Sequence, residues 1–234
     1  MKNRRQFLKT SAALGTALVL PKINFAADDK LRNVLLLGDS ISIGYTPFVK
    51  EMLKYLAVVE RPMMNNGKAE NCEGTTKAIQ NMERWLGNKK WDVIHFNFGL
   101  HDLKHVDPTT GENSNNPDDP LQTDLKQYKK NLEQIVETLK ATGADLIFAT
   151  TTPYPDTVNN PLRDAGMAEK YNRVAIRIMN KNDVTINDLY TFAKPRLKEI
   201  QLPNNVHFTE EGYQKLAGKV IDRIKEVLED ARFR

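Results

Sequence analysis

Residues 34–41 read Val-Leu-Leu-Leu-Gly-Asp-Ser-Ile, an apolar strand that runs into a tight Gly-Asp turn presenting Ser40. A serine at the carboxyl end of a parallel strand lies at the sheet edge where open α/β folds hold their ligands. Its hydroxyl needs only a base and an oxyanion site to act as a nucleophile. Near the other end of the chain, residues 204–208 read Asn-Asn-Val-His-Phe and supply His207 just before a final amphipathic helix. We therefore expect Ser40 and His207 to meet at one edge of the sheet.

Short apolar runs alternate with longer helical patterns along the rest of the chain. The runs predicted as strands are Val34–Leu37, Val58–Met63, Val93–Phe98, Leu146–Thr150 and Val184–Ile186. The patterns predicted as helices are Phe48–Leu56, Thr75–Leu86, Leu121–Thr142, Ala168–Asn180 and a final helix that begins at Thr209. Such alternation implies a parallel sheet with helices on both faces. The prediction is a single-domain three-layer α/β/α sandwich with a central parallel sheet of about five strands.

The first 26 residues have the layout of a signal peptide. Paired Arg4 and Arg5 precede a short apolar run, 11–20, and a small-residue site at Ala26-Ala27. That run is shorter than the roughly 20 apolar residues of a spanning helix. The arginines followed by Gln-Phe-Leu-Lys resemble a twin-arginine signal, although an ordinary secretory leader with two chance arginines is the alternative.

We therefore expect residues 1–26 to be a twin-arginine-like signal peptide and 27–234 to be the folded domain. The expected partner of the leader is the twin-arginine export machinery, and the expected location is periplasmic or extracellular in a bacterium. Because the leader contains no cysteine, we expect no stable membrane anchor.

The formal charge of +4 comes from the leader, which holds five basic residues and no acidic ones. Without the leader, 34 − 5 = 29 basic residues face 30 acidic residues, a net charge of −1. That balance favours neither nucleic acid nor an anionic membrane as a partner. Cys72 is the single cysteine, so no intramolecular disulfide can form.

Four dispersed blocks resemble the GDSL-type, or SGNH, hydrolase family, which is named for a serine, a glycine, an asparagine and a histidine. The blocks are Gly38-Asp39-Ser40-Ile41, Asn65-Asn66-Gly67, Gly99-Leu100-His101-Asp102 and Asn204-x-x-His207. The family patterns have Leu after the serine in the first block, Gly-x-Asn-Asp in the third and Asp-x-x-His in the fourth. The resemblance covers residues 33–230 and implies a flavodoxin-like sandwich with esterase activity.

The resemblance implies a role for each block. Ser40 would be the nucleophile, and His207 would be the general base and later the general acid. The backbone N–H groups of Ser40 and Gly67, with the side chain of His101, would form the oxyanion hole. Fixed N–H donors stabilise the negative charge that acyl transfer builds on a carbonyl oxygen. A residue without Cβ, such as Gly67, lets that oxygen approach its amide.

The chain departs from the family pattern at two of these positions. His101 stands where the family has asparagine; an imidazole can also donate an N–H, with a strength that depends on pH. The alternatives for His101 are a substrate contact or a packing role. Asn204 stands where the family has the acid that orients the histidine, and a neutral amide cannot stabilise an imidazolium electrostatically.

Three interpretations of Asn204 stay open. Its Oδ1 could accept from His207 Nδ1–H as a neutral orienting group, another carboxylate such as Asp102 could substitute, or the protein could be slow or inactive. His101 and His105 have the four-residue spacing of a metal pair on a helix, but a helix is doubtful there and no third ligand is near. We therefore expect no metal and no cofactor. The polar stretch 107–119 either borders the substrate or is a solvated insertion.

These observations favour an exported serine esterase that forms an acyl-enzyme intermediate. Because no extended apolar lid is apparent and the stretch 107–119 is polar, the favoured substrate is a small-molecule or glycan ester with a short acyl group, such as acetyl on a carbohydrate. One alternative is a lipase or lysophospholipase-type acyl hydrolase. The other is a catalytically decayed glycan-binding protein of the same fold, for which His101 and Asn204 are the argument.

Overall fold

A parallel sheet forms the centre of the described chain, which comprises residues 30–157 and 160–231 of a computed structural model. Its five strands are β1 (Arg32–Leu37), β2 (Ala57–Glu60), β3 (Val93–Phe96), β4 (Asp145–Ala149) and β5 (Thr185–Asn187). They lie in the order β2-β1-β3-β4-β5, and Val34 pairs with Val59 on one side and Val93 on the other. The predicted fold class is confirmed. The predicted signal peptide, residues 1–26, lies outside the described residues.

The helices of the described chain form two groups. They are α1 (Ser40–Leu53), α2 (Thr75–Leu86), α3 (Leu125–Lys140), α4 (Met167–Lys181), α5 (Leu189–Ala193), α6 (Leu197–Ile200) and α7 (Glu210–Asp230), with a 3₁₀ turn at Lys194–Arg196. Helix α1 packs against α7, whereas α2 contacts α3 and α3 contacts α4. Among the described helices, none is both long enough and apolar enough to span a bilayer.

Helix α1 begins at Ser40, eight residues before the predicted start at Phe48. Gly44, Pro47 and several β-branched residues lower the intrinsic helix propensity of this segment, which is why the pattern failed to indicate it. The side chain of Asp39 compensates as the N-cap, because its Oδ1 accepts from Ile41 N–H at 2.9 Å. This cap places Ser40 at the first position of the helix.

A close approach between α1 and α7 positions the carboxyl-terminal part of the domain. A Cβ atom at Gly44 would lie 2.2 Å from Cε1 of Tyr213, so only glycine lets the tyrosine ring pack directly on the α1 backbone. Helix α7 begins after Thr209, whose hydroxyl accepts from Gly212 N–H at 3.0 Å. Since His207 precedes this cap by two residues, the packing of α7 on α1 also sets where His207 lies.

We predict that Gly44→Ala destabilises the domain because the added methyl group displaces the Tyr213 ring. Overpacking of this kind costs typically about 1–3 kcal/mol, to be measured as a loss in the free energy of unfolding by urea. Gly218→Ala on α7 is the matched control, since a Cβ there meets nothing within 4 Å. The control should stabilise the domain by up to about 1 kcal/mol. Equal effects of the two substitutions would contradict the prediction.

Candidate active site

The nucleophile turn lies at the carboxyl end of β1, beside the point where the strand order reverses between β1 and β3. The Ser40 N–H belongs to the first turn of α1, where N–H groups have no intrahelical partner and can bind an anion. The buried guanidinium of Arg61 holds the turn from below: it donates to Gly38 O at 3.2 Å and to Ser42 Oγ at 3.1 Å. The turn is therefore rigid where the hydroxyl is presented.

Ser40 and His207 meet as the sequence predicts. The distance between His207 Nε2 and Ser40 Oγ is 2.9 Å, across 167 positions of the chain. The other ring nitrogen, Nδ1, lies 2.8 Å from Oδ1 of Asn205, which also accepts from the His207 backbone N–H at 3.0 Å. Because an amide oxygen only accepts, Nδ1 must carry the proton. The lone pair of Nε2 then faces the serine hydroxyl, which is the arrangement a general base needs.

The residue that orients His207 is Asn205, and the expectation of Asn204 is corrected. Asn204 has a left-handed backbone (φ 50°), a conformation that asparagine tolerates. Its Oδ1 accepts from Thr157 Oγ1 at 2.6 Å instead of from the imidazole. Sequence reasoning missed Asn205 because the family pattern points to the third residue before the histidine, and the neighbouring asparagine offered no separate signal.

Asp102 does not act as a substitute acid for His207. Its carboxylate accepts from the Thr75 N–H at 2.9 Å and from the Thr75 hydroxyl, which caps the start of α2. Burial is the main cause that raises the pKa of Asp102 to about 6. The group orienting the histidine is therefore a neutral amide.

Gly67 lies outside the site, which corrects its expected place in the oxyanion hole. It occupies an exposed turn (φ 77°) in which its N–H donates to Met64 O at 2.9 Å. Met63 and Ala69 form an antiparallel bridge below this turn, so the Asn-Asn-Gly motif is the tip of a small hairpin. The N–H of Gly67 is used locally and does not face the nucleophile.

Asn71 lies close to the nucleophile turn, where Gly67 was expected. The N–H of the next residue, Cys72, donates to Gly38 O at 3.1 Å, which holds this segment beside the nucleophile turn. Oδ1 of Asn71 accepts from Glu73 N–H at 2.9 Å, so the amide has a defined orientation. Asn71 lines the same cavity as Ser40 and His207. Its place in the short segment that leads from β2 into α2 was the signal that could have identified it.

His101 lines this cavity, and its imidazole is neutral. Burial, followed by the charges of Lys104 and Arg163, lowers the pKa of His101 to about 3. The expected pH-dependent donor strength is therefore corrected, since no imidazolium forms near neutral pH. Nδ1 is buried and has no hydrogen-bond partner in the described part of the chain. The nitrogen that can donate to a ligand in the cavity is Nε2.

The polar stretch 107–119 borders the cavity, because Asn113 forms part of its wall. His105 does not join His101 in a metal site: its Nδ1 lies 2.7 Å from Asp119 O. Within residues 30–157 and 160–231, no group of three or more histidine, cysteine, aspartate or glutamate side chains is arranged to hold a metal ion.

Comparison with known proteins identifies the family. Residues 36–215 match the model of the GDSL-like lipase/acylhydrolase family, and residues 3–21 match that of the twin-arginine translocation signal. The chain therefore belongs to the GDSL-like lipase/acylhydrolase family and is a carboxylic ester hydrolase by class. Its leader directs export across the membrane through the twin-arginine pathway. No curated protein is significantly similar to this chain.

Solved structures share the fold. A lipase/acylhydrolase from Enterococcus faecalis superposes with a TM-score of 0.67 at 18% identity, covering 84% of this chain and 96% of that one. An acetyl xylan esterase gives 0.64 at 18% identity, covering 82% and 99%. An acetylxylan esterase from Geobacillus stearothermophilus gives 0.63 at 18% identity, covering 82% and 94%.

We predict that Asn205→Asp raises esterase activity and shifts its pH dependence. Burial and the charge of Arg163 lower the pKa of His207, so the acidic limb of the kcat/KM profile should lie below pH 6.5, where the free imidazole titrates. A carboxylate at Nδ1 stabilises the imidazolium and moves that limb to higher pH. The plateau of kcat/KM should rise by about tenfold, or about 1.4 kcal/mol of transition-state stabilisation.

Asn204→Asp is the control for this substitution, because its side chain contacts Thr157 and not the imidazole. It should leave both the limb and the plateau nearly unchanged. A larger rise for Asn204→Asp than for Asn205→Asp would reverse the assignment of the orienting residue.

We predict that His101→Ala lowers kcat by on the order of 100-fold, the loss typical of one oxyanion donor. His101→Asn should retain most of the activity, because an asparagine amide also donates an N–H. Steady-state kinetics on one activated ester checks both variants. A packing role for His101 predicts instead that Ala and Asn lower thermal stability and leave kcat unaffected.

Proposed function

We propose that this protein is a serine esterase that removes short acyl groups, such as acetyl, from carbohydrate esters through an acyl-enzyme intermediate. The observation that carries the proposal is the continuous chain of contacts from Ser40 Oγ through His207 to Asn205 Oδ1. The proton on Nδ1 leaves Nε2 free to accept the serine proton. Asn205 thereby orients the imidazole as a carboxylate would, but without a negative charge.

The reaction proceeds in two halves. Ser40 Oγ attacks the ester carbonyl carbon while His207 Nε2 takes the hydroxyl proton, and the carbonyl oxygen becomes an oxyanion. His207 then returns the proton to the departing alcohol oxygen, which leaves the acyl group on Ser40. A water molecule attacks this acyl-enzyme with His207 as base, and the carboxylic acid departs as the serine hydroxyl is restored.

Three donors are available for the oxyanion in this proposal. They are the Ser40 backbone N–H, the Asn71 side-chain amide and the His101 imidazole, all on the wall of one cavity. Each is held by the protein before the substrate binds, so the charge is stabilised without reorganisation. Asn71 replaces Gly67 in this set.

The lining of the cavity favours a polar substrate. Its volume is about 520 Å³, which suits a sugar-sized ligand. Amide side chains dominate the wall: Asn71, Asn113, Asn160, Asn204 and Asn205. Among the described residues of the wall, the apolar ones are Leu100, Pro161 and Val206. A wall of this kind provides hydrogen bonds to hydroxyl groups and offers little surface to a long acyl chain.

The acetyl xylan esterases of similar fold are in keeping with this substrate class, although at 18% identity they share only the fold. The lipase/acylhydrolase from Enterococcus faecalis is equally similar and keeps long-chain esters as the competing class. The polar lining of the cavity favours the short-chain esters, and a direct assay of both ester classes tests that preference.

We predict that a fluorophosphonate probe labels the protein at Ser40. The probe reacts only with an activated serine, so Ser40→Ala and His207→Ala should each abolish labelling, as detected by intact-protein mass spectrometry. Ser114→Ala is the matched control, because Ser114 Oγ donates to Asp119 Oδ2 within the polar stretch 107–119. A folded protein that takes up no label would favour a glycan-binding role.

We predict that acetylated sugars are cleaved with a higher kcat/KM than long-chain acyl esters. The measurement compares acetate release from acetylated xylosides with hydrolysis of 4-nitrophenyl palmitate presented in detergent. The polar wall gives a long acyl chain little apolar surface on which to pack, so kcat/KM should be higher for the acetyl ester. A clear preference for palmitate would replace this proposal with the lipase alternative.

A further inference from the structure

We infer that the preferred substrate carries an anionic group close to the scissile ester, and that Lys104 and Arg163 bind it. We call these two residues the basic pair. Both line the cavity that contains Ser40 and His207. This inference rests on the proposed esterase function and adds the substrate's charge to it.

Arg163 is a buried cation, and the hydrogen-bond partners that it has among the described residues are neutral. The residue is 5% exposed, and it donates from Nε to Leu100 O at 3.1 Å and from Nη1 to Pro161 O at 3.2 Å. A guanidinium has five N–H donors, so these two bonds leave three, on Nη1 and Nη2, without a partner in the part of the chain that the structure describes. No carboxylate within residues 30–157 and 160–231 forms an ion pair with it. The remaining N–H groups at the planar end of the guanidinium match the two oxygens of a carboxylate.

Lys104 is the second buried cation of the cavity. It is 8% exposed, and its Nζ donates to Asn113 Oδ1 at 2.7 Å. An ammonium group has three N–H donors, so two are left after this bond. Arg163 is close enough for its charge to act on Lys104. The two cations therefore repel each other across a space that an anion would stabilise.

The acidic side chains whose charges act on the basic pair, Glu73, Asp102 and Asp39, have other hydrogen-bond partners. The Glu73 carboxylate binds Lys77 Nζ at 2.7 Å, and Asp102 binds Thr75. Asp39 lies below the nucleophile turn, where its Oδ1 accepts from Ile41 N–H and burial is the main cause that raises its pKa to about 6. None of these three groups reaches hydrogen-bonding distance of Lys104 Nζ or of the Arg163 guanidinium.

Burying a charge is unfavourable unless an opposite charge or hydrogen bonds offset the lost hydration. A structural arginine could hold the Leu100 and Pro161 carbonyls, but that task does not require a second cation on the same cavity wall. A carboxylate, sulfate or phosphate on the substrate would satisfy both residues and help to orient the ester over Ser40. The anion could belong to the alcohol part, as in a uronic acid, or to the acyl part, as in a dicarboxylic half-ester.

The experiment uses two matched pairs of esters and the wild-type protein. In the first pair, methyl 2,3-di-O-acetyl-glucuronoside is compared with the corresponding glucoside, so the charge is on the alcohol. In the second, 4-nitrophenyl hemisuccinate is compared with 4-nitrophenyl butyrate, so the charge is on the acyl group. We expect kcat/KM to be at least about tenfold higher for the charged ester in one pair, because hydrogen bonds between charged groups are stronger than those between neutral ones. The pair that shows the preference identifies which part carries the anion.

Variants then assign the preference to the basic pair. Arg163→Gln and Lys104→Gln should each reduce the charged-to-neutral ratio towards one; the ratio is the measured quantity, because any effect of the lost charge on His207 is common to both esters. Arg173→Gln is the control for loss of a positive charge, because Arg173 lies on the exposed surface of α4 in an ion pair with Glu169. It should leave the ratio unchanged. If Arg163→Gln fails to fold, the charged-to-neutral ratio of Lys104→Gln, compared with the wild-type ratio, still tests the inference.

Each outcome bears on the inference differently from the proposed function. Cleavage of neutral esters with a ratio of one or less in both pairs overturns the anion subsite and leaves the esterase intact. Equal losses for charged and neutral esters in both variants assign the basic pair a structural role, which also overturns it. Failure to cleave any ester, with no labelling of Ser40, overturns the proposed function and this inference with it.

Discussion

The close packing of α7 on α1 is the constraint on which the rest of the site depends. Gly44 permits this packing, since any side chain there would meet the Tyr213 ring. The first helix presents Ser40 at its amino terminus, and Thr209, the N-cap of the last helix, lies two residues after His207. The 2.9 Å contact between the serine and the imidazole is therefore a consequence of helix packing, although the two residues are 167 positions apart. A change in that packing would separate the catalytic groups without altering either of them.

The electrostatics of the cavity form one pattern. The histidine is oriented by a neutral amide, a second histidine is held neutral by burial, and two buried cations line the same wall. Burial and the charge of Arg163 lower the pKa of His207, and no carboxylate at Nδ1 raises it, so the imidazole is a weaker base than in a serine–histidine–aspartate triad. An anionic substrate bound at Lys104 and Arg163 would offset part of that positive field. Substrate charge would then contribute both to binding and to the basicity of His207.

A site residue could be predicted where its sequence signal lies within a few contiguous residues. Ser40 could be predicted because an apolar strand, a tight turn and a serine are contiguous, and His207 because it precedes a strongly amphipathic helix. Gly67 was placed wrongly because a glycine motif reports a turn and not the direction in which the turn faces; its N–H closes a hairpin with Met64. Asn204 and Asn205 are adjacent residues of the same type. Only the left-handed backbone at Asn204 decides which of the two amides reaches the imidazole.

Sequence alone was sufficient for the alternation of the five strands with the longer helices, the parallel sheet, the export leader and the two residues that meet at the sheet edge; the short helices α5 and α6 were not predicted. Those features arise from periodicity, turn chemistry and short motifs, which act over a few residues. Folding in three dimensions was needed to bring Asn71 beside the nucleophile turn, to aim Asn205 at the imidazole and to bury Lys104 and Arg163 on one wall. These contacts join segments far apart in the chain or depend on a single backbone angle. The free energy of these contacts depends on packing and desolvation, which a short stretch of sequence does not determine.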